Sequence, residues 1–123
     1  MNNGEISEEK KTEVNQRIVT DHVRLKGSSS KRGQYIETAL YEKLVDRIVK
    51  RITTGRNCMA TSDELLQDII EDPPVAMDLG DLTWLTLQVK NHLVFKKLLI
   101  NSMEDFTQQI KLTPEGELFF GLR

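Results

Sequence analysis

Apolar residues recur at three- and four-residue spacing between residues 31 and 54: Tyr35, Ile36, Ala39, Leu40, Leu44, Ile48, Val49 and Ile52. That spacing draws one apolar stripe along a helix, so a long amphipathic helix is predicted there, stopped by Gly55. Leu65, Leu66, Ile69 and Ile70 predict a second helix. Thr61 or Ser62 caps it, Asp63 and Glu64 suit the positive end of its dipole, and Asp72-Pro73-Pro74 stops it. Residues 73–80 read as a connector. A third helix is predicted from about Asp81, with Leu82, Leu85, Val89 and Leu93 as its core stripe. The period then shortens. Residues 94–100 (VFKKLLI) and 106–112 (FTQQIKL) read as two strands joined by a turn-rich link. Thr113-Pro114-Glu115-Gly116-Glu117 opens a final short helix, with threonine as N-cap and proline at its first position.

The first thirty residues lack such a pattern. Residues 1–13 are polar and carry four glutamates, residues 14–26 fit a strand or a helix, and Gly27-Ser28-Ser29-Ser30 punctuates the chain. The expected organisation is a flexible, disordered tail over 1–30 and one domain over 31–123. A chain of 123 residues, 38% of them hydrophobic, supports one core and not a two-domain enzyme. No apolar run approaches the ~18 residues of a membrane span, and the N-terminus lacks the apolar stretch of a secretory signal. A soluble cytoplasmic protein is expected, without membrane contact.

Chemistry-bearing motifs are scarce. Cys58 is the only cysteine, which excludes an intramolecular disulfide, and with His22 and His92 it gives no metal-ligand spacing. GSSSKRG lacks the spacing of a phosphate-binding loop, and no HExxH, GxSxG or EF-hand pattern occurs. Neither enzyme, metal nor cofactor is expected. Charge is uneven. Residues 1–56 hold 12 Lys/Arg against 8 Asp/Glu, a balance of +4, whereas residues 57–123 hold 5 against 11, a balance of −6.

The segment Met59-Ala60-Thr61-Ser62-Asp63-Glu64-Leu65-Leu66 resembles the opening of the second helix of winged helix-turn-helix proteins. Residues 93–113, followed by Pro114-Glu115-Gly116, resemble the wing and the L-T-x-x-G exit of MarR-type and PadR-type regulators. The resemblance covers about residues 34–123. It implies a mainly α fold with a small β wing: a winged helix-turn-helix preceded by a long N-terminal amphipathic helix. It also implies a sequence-specific DNA-binding transcriptional regulator acting as a homodimer on double-stranded DNA. The third helix would then lie in the major groove. Thr83, Thr86, Gln88, Lys90 and Asn91 would face base edges, and Lys31, Arg32, Lys96 and Lys97 would meet phosphates. The chain departs from the family in its longer link before the third helix, and in Glu104 and Asp105 at the wing tip.

Other readings stand beside this one. A winged-helix module that binds protein, as an adaptor or assembly factor without DNA binding, would use the acidic C-terminal half as its interaction face. Residues 30–40 weakly resemble the second helix of ribbon-helix-helix repressors. Lys43, Arg47, Lys50 and Arg51 form a basic band that either tracks phosphate or solvates the long helix. Trp84 reads as a stacking group or as a core or interface residue. Cys58, near Arg56, reads as a redox-sensing or an unremarkable thiol.

Overall fold

A computed structural model describes residues 22–26, 34–104 and 106–122. The described chain is mixed α/β, with four helices and two small antiparallel sheets. Its elements are β1 (His22–Leu25), β2 (Gln34–Glu37), α1 (Thr38–Thr54), a short 3-10 turn (Arg56–Cys58), β3 (Met59–Ala60), α2 (Ser62–Glu71), α3 (Leu79–Phe95), β4 (Leu99–Glu104), β5 (Thr107–Leu112) and α4 (Pro114–Phe119).

β1 and β2 pair antiparallel, with Val23 opposite Ile36 and Leu25 opposite Gln34. Leu25 and Ile36 are buried in the core, so the tail expected over 1–30 contains a core strand at 22–25. Residues 1–21 and 27–33 lie outside the described residues. The long helix also begins later than its spacing predicted. Tyr35 and Ile36, counted in its stripe, belong to β2, and the helix proper buries Leu44, Val45, Ile48 and Ile52.

Gly55 ends α1, though not through a left-handed turn: its φ is −78°. A side chain there would run into the Met59 carbonyl and crowd that of Arg51, so the close approach of backbones is what demands glycine. Asn57 and Cys58 then take positive φ values of 57° and 56°, which turn the chain into β3.

α2 starts as its sequence predicts. Thr61 Oγ1 accepts from the Glu64 N–H, and Glu64 Oε1 accepts from the Thr61 N–H, a reciprocal cap. α3 begins two residues before Asp81, because Asp78 caps it by accepting from the Asp81 N–H. It also runs on to Phe95, with no breaker to stop it. The strand expected from residue 94 therefore starts at Leu99, after Lys97 turns the chain at φ 65°.

The second sheet has the order β3-β5-β4. Ala60 pairs with Ile110 and Leu99 with Leu112, and Ala60, Leu99 and Ile110 are buried beneath the helices. Residues 101–104, expected as a link, instead extend β4 to the turn at Phe106. α4 closes the end of the sheet. Thr113 Oγ1 accepts from the Gly116 N–H and donates to the Lys97 carbonyl, while the Thr113 N–H donates to the Leu98 carbonyl.

Candidate functional site

The candidate surface is built on α3. At 100° per residue, Leu82, Val89 and Leu93 share one side of the helix, and all three are buried. Thr86 lies on that same side, four residues after Leu82 and three before Val89. It is fully buried, and its hydroxyl donates to the Leu82 carbonyl at 2.8 Å. Gln88 is only 7% exposed, and its Oε1 is covered with no hydrogen-bond partner among the described residues. Thr86 and Gln88 therefore do not stand on an outward reading face, contrary to the expectation for both. The stripe Leu82–Leu85–Val89–Leu93 turns Thr86 inward with it.

Thr83, Lys90 and Asn91 are half-buried. Thr83 Oγ1 donates to the Gly80 carbonyl, and burial lowers the Lys90 pKa from its ordinary value. Lys96 and Lys97 are exposed just after α3. Lys31 and Arg32 lie outside the described residues. Of the seven described residues expected to meet nucleic acid, then, only Lys96 and Lys97 are exposed cations.

The basic band of α1 is partly consumed inside the fold. Arg47 donates to the Asp68 carbonyl at 2.8 Å and to the Asp72 carbonyl at 2.6 Å, at the C-terminal end of α2. A guanidinium there meets the negative end of the dipole at carbonyls of the last turn, that of Asp68 also accepting from the Asp72 N–H. Arg51 lies 3.5 Å from Glu64 and 3.8 Å from Asp68. Lys43 and Lys50 remain exposed.

His92 is a core residue. Its Nδ1 accepts from the Lys26 N–H at 2.9 Å, and its ring meets Tyr41 edge-on at 5.6 Å. Burial lowers its pKa, helped by the positive charges of Lys96 and Lys26. A neutral ring protonated on the other nitrogen thus ties β1 to α3.

The side of α3 turned away from the core carries something composition alone does not announce. Trp84 is 45% exposed and Phe95 58%, with Leu87 and Val94 half-buried beside them and Asn91 between. Between Leu82 and Phe95 the only permanently charged side chain is Lys90, about 100° or more around the helix from Trp84, Asn91 and Phe95. The signal was present in the sequence: apolar residues go all the way round this helix, and a helix of that kind is normally covered on all sides. Nearby acidic groups, Asp63, Glu71, Asp72, Asp78 and Asp81, are exposed.

Elsewhere among the described residues the chemistry does not converge. A cleft of 410 Å³ is lined by Arg56, Glu64, Glu104 and Gln109, but Glu64 is already engaged in the α2 cap and Glu104 with Ser102 and Lys111. Cys58 is exposed at the rim of a second cleft, with Thr53, Lys111 and Glu117. Among the described residues no three His, Cys, Asp or Glu side chains converge as metal ligands, and no helix is long and apolar enough to cross a membrane. No family model, curated protein or solved structure matches this chain.

Proposed function

We propose that residues 38–119 form a winged-helix module that binds another protein, with the outward side of α3 as its docking surface. The fold reading is supported by the order α1, β3, α2, α3, β4, β5, and by β5 lying between β3 and β4. The β4–β5 hairpin takes the place of the wing, and α3 that of the helix which reads DNA in winged-helix regulators.

What α3 presents carries the functional reading. A helix that enters the major groove offers amides and cations to base edges, and its flanks neutralise phosphates. Here the exposed side offers Trp84 and Phe95, residue types concentrated at the centres of protein interfaces. Thr86 and Gln88 are turned inward, and Arg47 and Arg51 serve α2. The −6 balance of residues 57–123 adds repulsion from a polyanion.

One observation favours the DNA-binding regulator as a second reading: Lys96 and Lys97 are exposed side by side between α3 and the wing. Fluorescence anisotropy with a random-sequence duplex at about 50 mM and 200 mM salt separates the two. The protein-binding reading expects no binding at either salt. Tight binding that collapses at the higher salt overturns it in favour of the regulator.

A further inference from the structure

The second sheet has a free edge along β4, which ends the order β3-β5-β4. The Thr113 N–H donates to the Leu98 carbonyl, and the ladder beyond sets Ile100 opposite Lys111 and Ser102 opposite Gln109. In an antiparallel ladder, hydrogen-bonded pairs recur at every second residue. Ile100, Ser102 and Glu104 therefore turn their main-chain N–H and C=O toward β5, while Leu99, Asn101 and Met103 turn theirs away. Leu99 is 1% exposed and covered, but Asn101 is exposed and Met103 is 68% exposed. Neither finds a partner for these groups among the described residues.

Sheet edges are commonly blunted by lysine, proline or a bulge, because an open edge invites another strand. Residues 99–104 (LINSME) contain neither lysine nor proline, and their register with β5 runs unbroken through six pairs. We propose that β4 adds antiparallel to β4 of a second copy, about a two-fold axis level with Ser102, joining two three-stranded sheets into one.

In that register the exposed groups answer each other. Asn101 of each copy lies opposite Met103 of the other, and each such pair exchanges two N–H···O=C bonds. Met103 meets Met103 of the other copy diagonally, which covers an apolar side chain that a single chain leaves in water. Charge selects both the second copy and its direction. Lys96 and Lys97, both exposed, lead into β4, whereas Glu104 ends it and Asp105 follows in sequence. Lys111 offsets part of that acidic charge. Antiparallel pairing sets the basic start of each strand beside the acidic end of the other, and a parallel copy would set like charges together. The outward side of α3 takes no part, so the pairing is independent of the surface proposed above.

Pairing along one short edge buries little area, so the association is weak and concentration-dependent. Sedimentation velocity on the full chain, from about 1 μM to 1 mM, is expected to show a reversible monomer–dimer equilibrium. Asn101→Pro removes an outward donor that β5 does not use, and is expected to weaken dimerisation at least tenfold. Met103→Lys leaves the main chain intact and sets two ammonium groups near each other across the axis, with the same effect expected. Thermal melts report whether each variant keeps its fold.

A third variant tests the register. In a Cys58→Ser background, Ser102→Cys sets the two introduced thiols opposite each other in a non-hydrogen-bonded pair, with Cα atoms about 4.5 Å apart, inside the range a disulfide spans. Oxidation is expected to give a cross-linked dimer, whereas Asp63→Cys in the same background gives none. A monomer at every concentration overturns the pairing. So does a dimer indifferent to Met103→Lys, or one that yields no Ser102→Cys cross-link.

Discussion

Replacing Arg47 by alanine tests whether the basic band of α1 is structural. In the wild-type chain its guanidinium spans two carbonyls, those of Asp68 and Asp72, at 2.8 and 2.6 Å. A hydrogen bond to a charged group contributes about 1.5–3 kcal/mol when well shielded, and less when water competes. One of these bonds is exposed and the other part-buried. Together they are worth about 2 kcal/mol, including the interaction with the α2 dipole. For a chain of this size that corresponds to a fall in melting temperature of roughly 6–10 °C. Arg47→Lys should recover only part of the loss, because an ammonium cannot fork between two acceptors. Lys43→Ala and Lys50→Ala, on the same helix but exposed, should stay within about 0.5 kcal/mol of wild type. Urea unfolding of the four variants measures all of this at once. If Arg47→Ala costs no more than Lys43→Ala, Arg47 does not hold α2, and the whole band returns as a candidate phosphate-tracking surface.

Other expectations follow from the same geometry. Gly116→Ala gains about 1 kcal/mol of helix propensity but drives a methyl into the Leu98 carbonyl, so a net loss of at least 1 kcal/mol is expected by thermal melt. Thr61→Ala removes half of the reciprocal cap on α2 and should cost about 1 kcal/mol in the same measurement. His92 is held with a lowered pKa, so the unfolded chain binds the extra proton first as pH falls. Its contribution to stability is therefore complete above about pH 6.5 and lost as pH drops from there toward the folded value, at up to ~1.4 kcal/mol per pH unit. His92→Gln should flatten that part of the stability profile, and an unchanged slope would assign it to other groups.

The elements with local chemical signals were legible in the sequence. The Thr61–Glu64 cap, the Asp72-Pro73-Pro74 stop and the Thr113-Pro114 start all lie where their residue types require. The β1–β2 hairpin was not. Its evidence is pairing across a gap in sequence, and Tyr35 and Ile36 extend the helical spacing of α1 by coincidence. The two-residue strand β3 is too short to have a period. The start of β4 was misplaced because Lys97 takes a left-handed turn without glycine.

On the candidate surface the error had a clearer cause. Thr86 and Gln88 were sorted by residue type, as polar and hence outward, when helical angle already set Thr86 with Leu82, Val89 and Leu93. The same wheel puts Trp84 and Phe95 opposite them. The hydrogen bonds of Arg47 and the ion pairs of Arg51 to α2 depend on how two helices pack, and no spacing within one helix reveals them.

Trp84 is the only tryptophan in the chain, so its fluorescence reports directly on the surface at issue. The decisive measurement is its emission maximum and acrylamide quenching as a random-sequence duplex is added, at low salt and then at high salt. The account predicts no change in either as duplex is added. A spectrum shifted by duplex and restored by salt would contradict it and make α3 a DNA-contacting helix.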